Sequence, residues 1–291
     1  MTPEAHPPRV LSIAGSDSGG GAGIQADLKA FAHAGVHGMT AITAITAQNT
    51  VGVTAVHPIP PTMIAAQVRA VAEDIGVDAV KIGMLADAAT IAAVAEALEV
   101  VGDAPVVLDP VMVAESGAAL LEPDARRALV ERLVPRSAVV TPNLAEAREL
   151  LVAGGAWSDE HEPGGGDPEP AAEAEQLARA VHALGPRAVV VTGGHADAVD
   201  VFFDGSRLER IPGERHPDGA AHGSGCTHSS TLAARLALGD DPLAAARAAK
   251  EVASEAVRDG LRGIGRGAGP VDVVGLARRW SGAAAGPHEA V

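Results

Sequence analysis

The sequence predicts an α/β fold built on a mostly parallel sheet, and two observations carry that prediction. Short apolar, β-branched runs alternate with longer alanine-rich segments of helical period, which is the pattern of successive βαβ units. The chain has 291 residues, 47% of them hydrophobic, enough to bury a large core. In chain order, strands are expected at 10–14, 39–43, 79–82, 106–108, 138–141 and 188–192. Helices are expected between them at 24–34, 62–73, 88–99, 124–133, 144–152 and 172–184. The runs 197–203 and 207–211, joined across Asp204-Gly205, read as a hairpin that ends the sheet with antiparallel pairing. Two helices follow, at 226–238 and 242–257.

No repeat period and no shift in composition divides the chain, so one domain is expected over 9–280, after a short extension at 1–8. The segment 158–175 is rich in Asp, Glu, Gly and Pro, has no Lys or Arg, and reads as a solvated loop running into a helix. The last residues, 281–291, are expected to fray.

Composition removes several function classes. A net charge of -15, from 37 acidic against 22 basic side chains, repels phosphate backbones and anionic membrane surfaces. With aromatic residues at 2% and no tyrosine, stacking platforms for single strands are absent. Neither nucleic acid nor membrane is therefore expected as a partner. Residues 1–8 lack the apolar core of a signal peptide, and the single cysteine, Cys226, forms no intrachain disulfide, which fits a reducing, cytoplasmic setting. An anionic ligand would need helix N-termini, backbone amides or a metal ion to hold it.

Familiar motifs are missing. There is no Gly-Lys-Ser/Thr phosphate loop, no His-Glu-x-x-His and no Gly-x-Ser-x-Gly. Gly21 to Ala26 fits a loose dinucleotide fingerprint, but 41–49 lacks the carboxylate such a site requires.

Four constellations remain. Gly15 to Gly23 holds five glycines in nine residues between the first strand and first helix, a density suited to close approach of backbone to a ligand. Asp27 follows it, and complementing the helix dipole from the first turn is its plainest reading. Gln48, beyond the second strand, presents a donor and an acceptor side by side and could read a heterocycle. Asp109 and the Thr141-Pro142-Asn143-Leu144-Ala145-Glu146 run both follow strands, where open α/β sheets bind ligands. Asn143 and Glu146 read equally well as a capping box or as oxygen ligands for magnesium. Finally, Gly223-Ser224-Gly225-Cys226 opens an alanine-rich helix. Its amides form an anion hole, and the helix start should lower the Cys226 pKa and leave its sulfur exposed to the ligand.

Together the motifs "AGSDSGGGAGIQADLKAF", "ITAQNTVGV", "KIGML", "LDPVM", "TPNLAEA", "TGGH", "HGSGCT" and "GPVDVV", in this order from about 10 to 273, resemble the hydroxymethylpyrimidine/phosphomethylpyrimidine kinases of thiamine biosynthesis, within the ribokinase superfamily. The resemblance implies a three-layer α/β/α fold with an antiparallel edge. It implies ATP and Mg2+ as cofactors, a pyrimidine alcohol and its monophosphate as substrates, and a homo-oligomer, a dimer first. Gly15, Asp27, Gln48 and Met84 would line the pyrimidine pocket. Asp109 and Glu146 would organise magnesium, with Asn143, Glu146, Thr192, Gly193 and Gly194 along the nucleotide. Gly223, Ser224 and Gly225 would form the anion hole, with Cys226 as the base.

Three positions depart from the family pattern. Thr192 stands where many members have lysine, Ala221 where a threonine is common, and His228 where an apolar residue is usual; His228 is expected to be structural. A pyridoxal kinase is the nearest alternative. A non-catalytic binding protein of the same fold and a cysteine hydrolase using His222 or His228 stand further off.

Overall fold

The computed structural model describes residues 6–113, 117, 120–156, 169–194 and 198–284. Its central sheet has eight strands in the order β10-β9-β8-β7-β6-β5-β1-β2. They are β1 (Arg9–Ala14), β2 (His37–Ile42), β5 (Ala79–Ile82), β6 (Val106–Leu108), β7 (Val139–Val140), β8 (Val189–Val191), β9 (Asp200–Phe203) and β10 (Leu208–Ile211). Neighbours from β2 to β8 run parallel, and β9 and β10 close the edge antiparallel. The parallel strands are apolar nearly throughout because both faces are covered, as parallel sheets require.

Side-chain alternation divides the core between those faces. Leu11, Ile13, Val80, Ile82, Leu108, Val140 and Val191 pack against helices α2 (Pro61–Asp74), α3 (Ala88–Ala97), α4 (Pro123–Arg132), α5 (Leu144–Ala153) and α6 (Pro170–His182). Val10, Ala79, Val107, Val139 and Val190 face α1 (Gly23–His33), α7 (Ser224–Ala237) and α8 (Pro242–Arg258). Two polar residues sit on that second face, Ser12 of β1 and Lys81 of β5, in register with each other. Both are fully buried.

All these strands except β9 end on one side of the sheet, so the segments after β1, β5, β6, β7 and β8 share an edge. Asp87 and Asp241 cap α3 and α8 with their carboxylates, and Asn143 with Glu146 forms a capping box on α5.

The predicted elements are all present, with ends shifted by a few residues. The structure adds a separate two-stranded antiparallel sheet, β3 (Ala44–Asn49) with β4 (Gly52–Pro58), and a last helix, α9 (Leu276–Ala284). α9 continues through 281–284, where fraying was expected. The hairpin strand expected from 197 begins at Asp200; 195–197 lie outside the described residues, as do 157–168 of the acidic loop, 1–5 of the extension and 285–291 of the tail. Among the described residues no helix is long and apolar enough to cross a membrane.

Candidate active site

Two glycine turns meet at the shared edge of the sheet. The turn after β1 is organised by Asp17, whose carboxylate accepts from the N–H groups of Gly19, Gly21 and Ala22. His222 Nε2 lies 3.0 Å from the same carboxylate. Burial alone would push the Asp17 carboxyl up, but His222 and those amides outweigh it and hold it below the usual carboxylate range.

Gly223 then adopts φ +85° as the residue before α7, and a Cβ there would sit 1.8 Å from Gly21 O. Only glycine satisfies both conditions. α7 therefore starts with no side-chain cap, an arrangement suited to an anion, while the Ser224 N–H donates to Ala221 O at 2.9 Å. Gly225 has open space where a Cβ would go, so its freedom is not needed for packing.

Behind the turns lies a buried ionic cluster that the sequence reading did not assemble. Lys81 Nζ reaches Asp27 Oδ1 at 3.0 Å and lies 3.9 Å from Asp109 Oδ2. Asp27 also accepts from Ser12 Oγ at 2.6 Å and from Ser230 Oγ at 2.8 Å, and Asp109 accepts from Ser229 Oγ at 2.9 Å. Burial lowers the Lys81 pKa less than Asp27, Cys226 and Asp109 raise it, so the ammonium keeps its proton. One cation thus joins β1, α1, β5, β6 and α7. The available sequence signal was a lysine inside an apolar strand, since a buried lysine requires partners.

Asp27 departs from both earlier readings. α1 starts at Gly23, so Asp27 lies in its second turn and does not serve the helix dipole. It is fully buried, and the contacts its carboxylate makes are to Lys81, Ser12 and Ser230. That leaves none of its carboxylate exposed to a ligand.

Cys226 requires a second correction. It occupies the first turn of α7 as expected, and the N–H of Gly23 donates to its sulfur. Yet burial pushes the thiol up to about 12; Asp27 and Asp109 add to the rise, and Lys81 opposes it. Burial outweighs both Lys81 and the Gly23 hydrogen bond, which favour the thiolate.

The other expected residues fall into two groups. Met84 lies over Gly15, where a Cβ would meet its Cε at 2.5 Å, and its carbonyl accepts from Thr43 Oγ1. Gln48, on β3, is tied to the glycine turn by exchange of hydrogen bonds between its backbone and Ser18 Oγ. At the other end, Thr192 N donates to Pro142 O, bringing Thr192, Gly193 and Gly194 beside Asn143. Glu146 accepts from the Asn143 and Met112 amides, but burial and the nearby Asp109 push its carboxyl up to about 8. Burial, with Asp27 adding, also raises Asp109. His228 turns to Asp200, at 3.1 Å, as the different faces of i and i+2 require.

An open α/β sheet with an uncapped, glycine-led helix start and paired carboxylates at its strand ends defines a small-molecule kinase with a ribokinase-like fold. The chain belongs to the phosphomethylpyrimidine kinase family, whose model matches residues 17–272. It is 51% identical over 265 residues to the hydroxymethylpyrimidine/phosphomethylpyrimidine kinase of Rhizobium meliloti, covering 90% of this chain and 95% of that one. Many solved structures resemble it, among them two kinases. The pyridoxal kinase of Staphylococcus aureus in complex with ADP has TM-score 0.81 and 32% identity, over 94% of this chain and 96% of its own. The phosphomethylpyrimidine kinase of Clostridium difficile has TM-score 0.71 and 38% identity, over 86% and 99%.

Proposed function

We propose that the chain transfers the γ-phosphoryl group of ATP to the hydroxymethyl oxygen of 4-amino-5-hydroxymethyl-2-methylpyrimidine, and then phosphorylates the monophosphate to the diphosphate, in thiamine biosynthesis. The observation that carries this is the uncapped start of α7, with Gly223 seated on Gly21 and Cys226 in its first turn, linked through Ser229 to Asp109. The names of the relatives agree with it.

In this reading Gly15, Met84 and Gln48 hold the ring, and Asp27 braces that wall from behind. Thr192, Gly193 and Gly194 follow the nucleotide, with Asn143. The amides of Gly223, Ser224 and Gly225 stabilise the transferring group; each donor is worth roughly 3 to 4 kcal/mol if it acts like an oxyanion-hole donor. Asp109 and Glu146 fit magnesium: both carboxyls are raised by burial and by neighbouring acids, so a cation relieves what disfavours their charge. Bound there, directly or through water, magnesium would neutralise phosphate charge.

The hydroxyl oxygen bonds to the γ-phosphorus as the bond to the ADP oxygen breaks. Cys226 receives the hydroxyl proton. Because burial keeps most of the thiol protonated at neutral pH, kcat should climb with pH into the alkaline range. Cys226→Ala should slow turnover by about a hundredfold to ten-thousandfold while leaving ADP binding unchanged.

The higher TM-score of the pyridoxal kinase keeps a second substrate in view. A coupled assay with the pyrimidine alcohol, its monophosphate and pyridoxal decides between them: kcat/KM should favour the two pyrimidines, and a larger value for pyridoxal would overturn the assignment. A cytoplasmic, dimeric enzyme completes the proposal.

A further inference from the structure

Away from the reacting atoms, one buried carboxylate ties the nucleotide side of the site to the helix that carries the anion hole. Asp200, at the start of β9 and 1% exposed, accepts from the Gly193 N–H through Oδ1 at 3.1 Å. The same oxygen receives Lys250 Nζ of α8 at 2.7 Å. Its other oxygen lies 3.1 Å from His228 Nε2 of α7. His228 is 4% exposed and Lys250 is 8% exposed. Burial would push the Asp200 carboxyl up, but His228 and Lys250 outweigh it and hold it below the usual range. Gly193 is fixed at both ends, since its carbonyl accepts from the Ala198 N–H at 3.1 Å.

His228 lies two residues beyond Cys226 and one before Ser229, whose hydroxyl bonds Asp109. A displacement of α7 would therefore be felt at Asp200 and, through it, at Gly193. Thr192 brings no charge of its own to this turn, so its placement depends on backbone and on what holds the backbone.

We infer that His228 is a positioning residue which, through Asp200, sets the Gly193 turn relative to the amides of Gly223 to Gly225, and so places the nucleotide for transfer. The inference rests on the kinase reading in taking Thr192 to Gly194 as the nucleotide edge. Lys250 keeps Asp200 paired when His228 is removed, so the variant loses registration rather than leaving a bare buried charge.

The test compares the full-length wild type with His228→Leu and His228→Gln. KM for ATP, KM for the pyrimidine alcohol, kcat, the dissociation constant for ADP by calorimetry, and the thermal midpoint are measured. His228→Leu should raise KM for ATP and the ADP dissociation constant about tenfold, the scale of one charge-assisted contact, and leave KM for the alcohol within about twofold. His228→Gln, whose amide can still donate to Asp200, should recover most of the difference. A lowered thermal midpoint with both KM values unchanged would show a purely structural residue and overturn the inference, as would equal changes in both KM values. If His228→Leu does not fold, His228→Gln against wild type decides by the same ratio: an ATP-specific rise smaller than about threefold supports the role, and a shift in the alcohol KM alone refutes it. Amide exchange over 189–194 in the wild type with ADP separates the two levels. No protection there would remove the nucleotide edge itself, whereas protection with an unaffected His228→Leu would remove only the positioning role.

Discussion

Alkylation of the single cysteine with iodoacetamide tests the electrostatics of the site directly. At pH 8 a thiol pushed up to about 12 is ionised in roughly one part in ten thousand. An ordinary cysteine, at about 8.5, is ionised to roughly one quarter, so burial removes a factor of roughly 2,500 in thiolate. Part of this returns, because a more basic thiolate is a better nucleophile. With a Brønsted slope of about 0.4 to 0.5 and a difference of about 3.5 in pKa, the recovery is roughly 25 to 55-fold. Folded protein should therefore react about 45 to 100-fold more slowly than the same chain in urea, before any hindrance from its half-buried position. The logarithm of the rate should rise with unit slope between pH 7 and 9.5, with mass spectrometry reporting label and circular dichroism confirming the fold. A plateau below pH 9, or a folded rate within about fivefold of the unfolded one, would refute the account of the thiol and with it the expected alkaline rise in kcat.

Lys81→Met leaves Asp27 and Asp109 without their shared cation and should destabilise the fold by about 3 to 5 kcal/mol in urea titrations, with Lys81→Met/Asp27→Leu recovering part of the loss. Glu146→Gln should have opposite effects on stability and activity. The folded carboxyl titrates at about 8 against an ordinary value of 4.5, so protonated Glu146 stabilises the fold fully below pH 4.5 and that contribution is lost as pH rises through about 8. The Gln variant should thus unfold later than wild type at pH 9, match it near pH 4, and lose turnover at saturating magnesium; a variant less stable at pH 9 would contradict the raised carboxyl. Gly223→Ala forces φ +85° on a side chain and drives its Cβ onto Gly21 O, so activity should vanish while Gly225→Ala keeps a folded, ligand-binding protein.

The architecture was legible because its signal is local and repeated. Each parallel strand is an apolar run between glycine, proline or polar turns, and each helix carries its own period; the order of elements then dictates a crossover sheet with few alternatives. The β3–β4 hairpin escaped because much of it is exposed: Ile45 is 51% and Val56 43% accessible, so no alternation between core and solvent marks it. At the site, short motifs revealed the glycine turns and the strand-end carboxylates, but not which groups pair across the sheet. Ser12, Lys81, Asp109 and Ser230 are far apart in sequence, and only the register of β1 with β5 and the approach of α7 bring them around Asp27. The Cys226 misreading has the same origin. Helix position can be read from sequence, whereas desolvation depends on what packs around the thiol.

That comparison leaves an electrostatic question with a definite answer. A chain of net charge -15 must hold the phosphates of a nucleotide, and its position 192 offers a threonine. Among the described residues, the buried lysines at the centre of the fold are turned inward, Lys81 to Asp27 and Asp109 and Lys250 to Asp200, which His228 also faces. In the proposed reaction they would act on the phosphates only through the groups they hold in place. In the proposed site, what would face the ligand is backbone N–H at the start of α7, whose positive end needs no side chain to carry it. Donors of this kind are useful in proportion to how little they move when charge develops. In the proposed mechanism the buried ion pairs would contribute by keeping α7, the Asp109 turn and the Gly193 turn in one rigid arrangement. Loss of the Lys81 network should lower turnover before it abolishes ligand binding, whereas loss of the His228 contact should show first in nucleotide affinity.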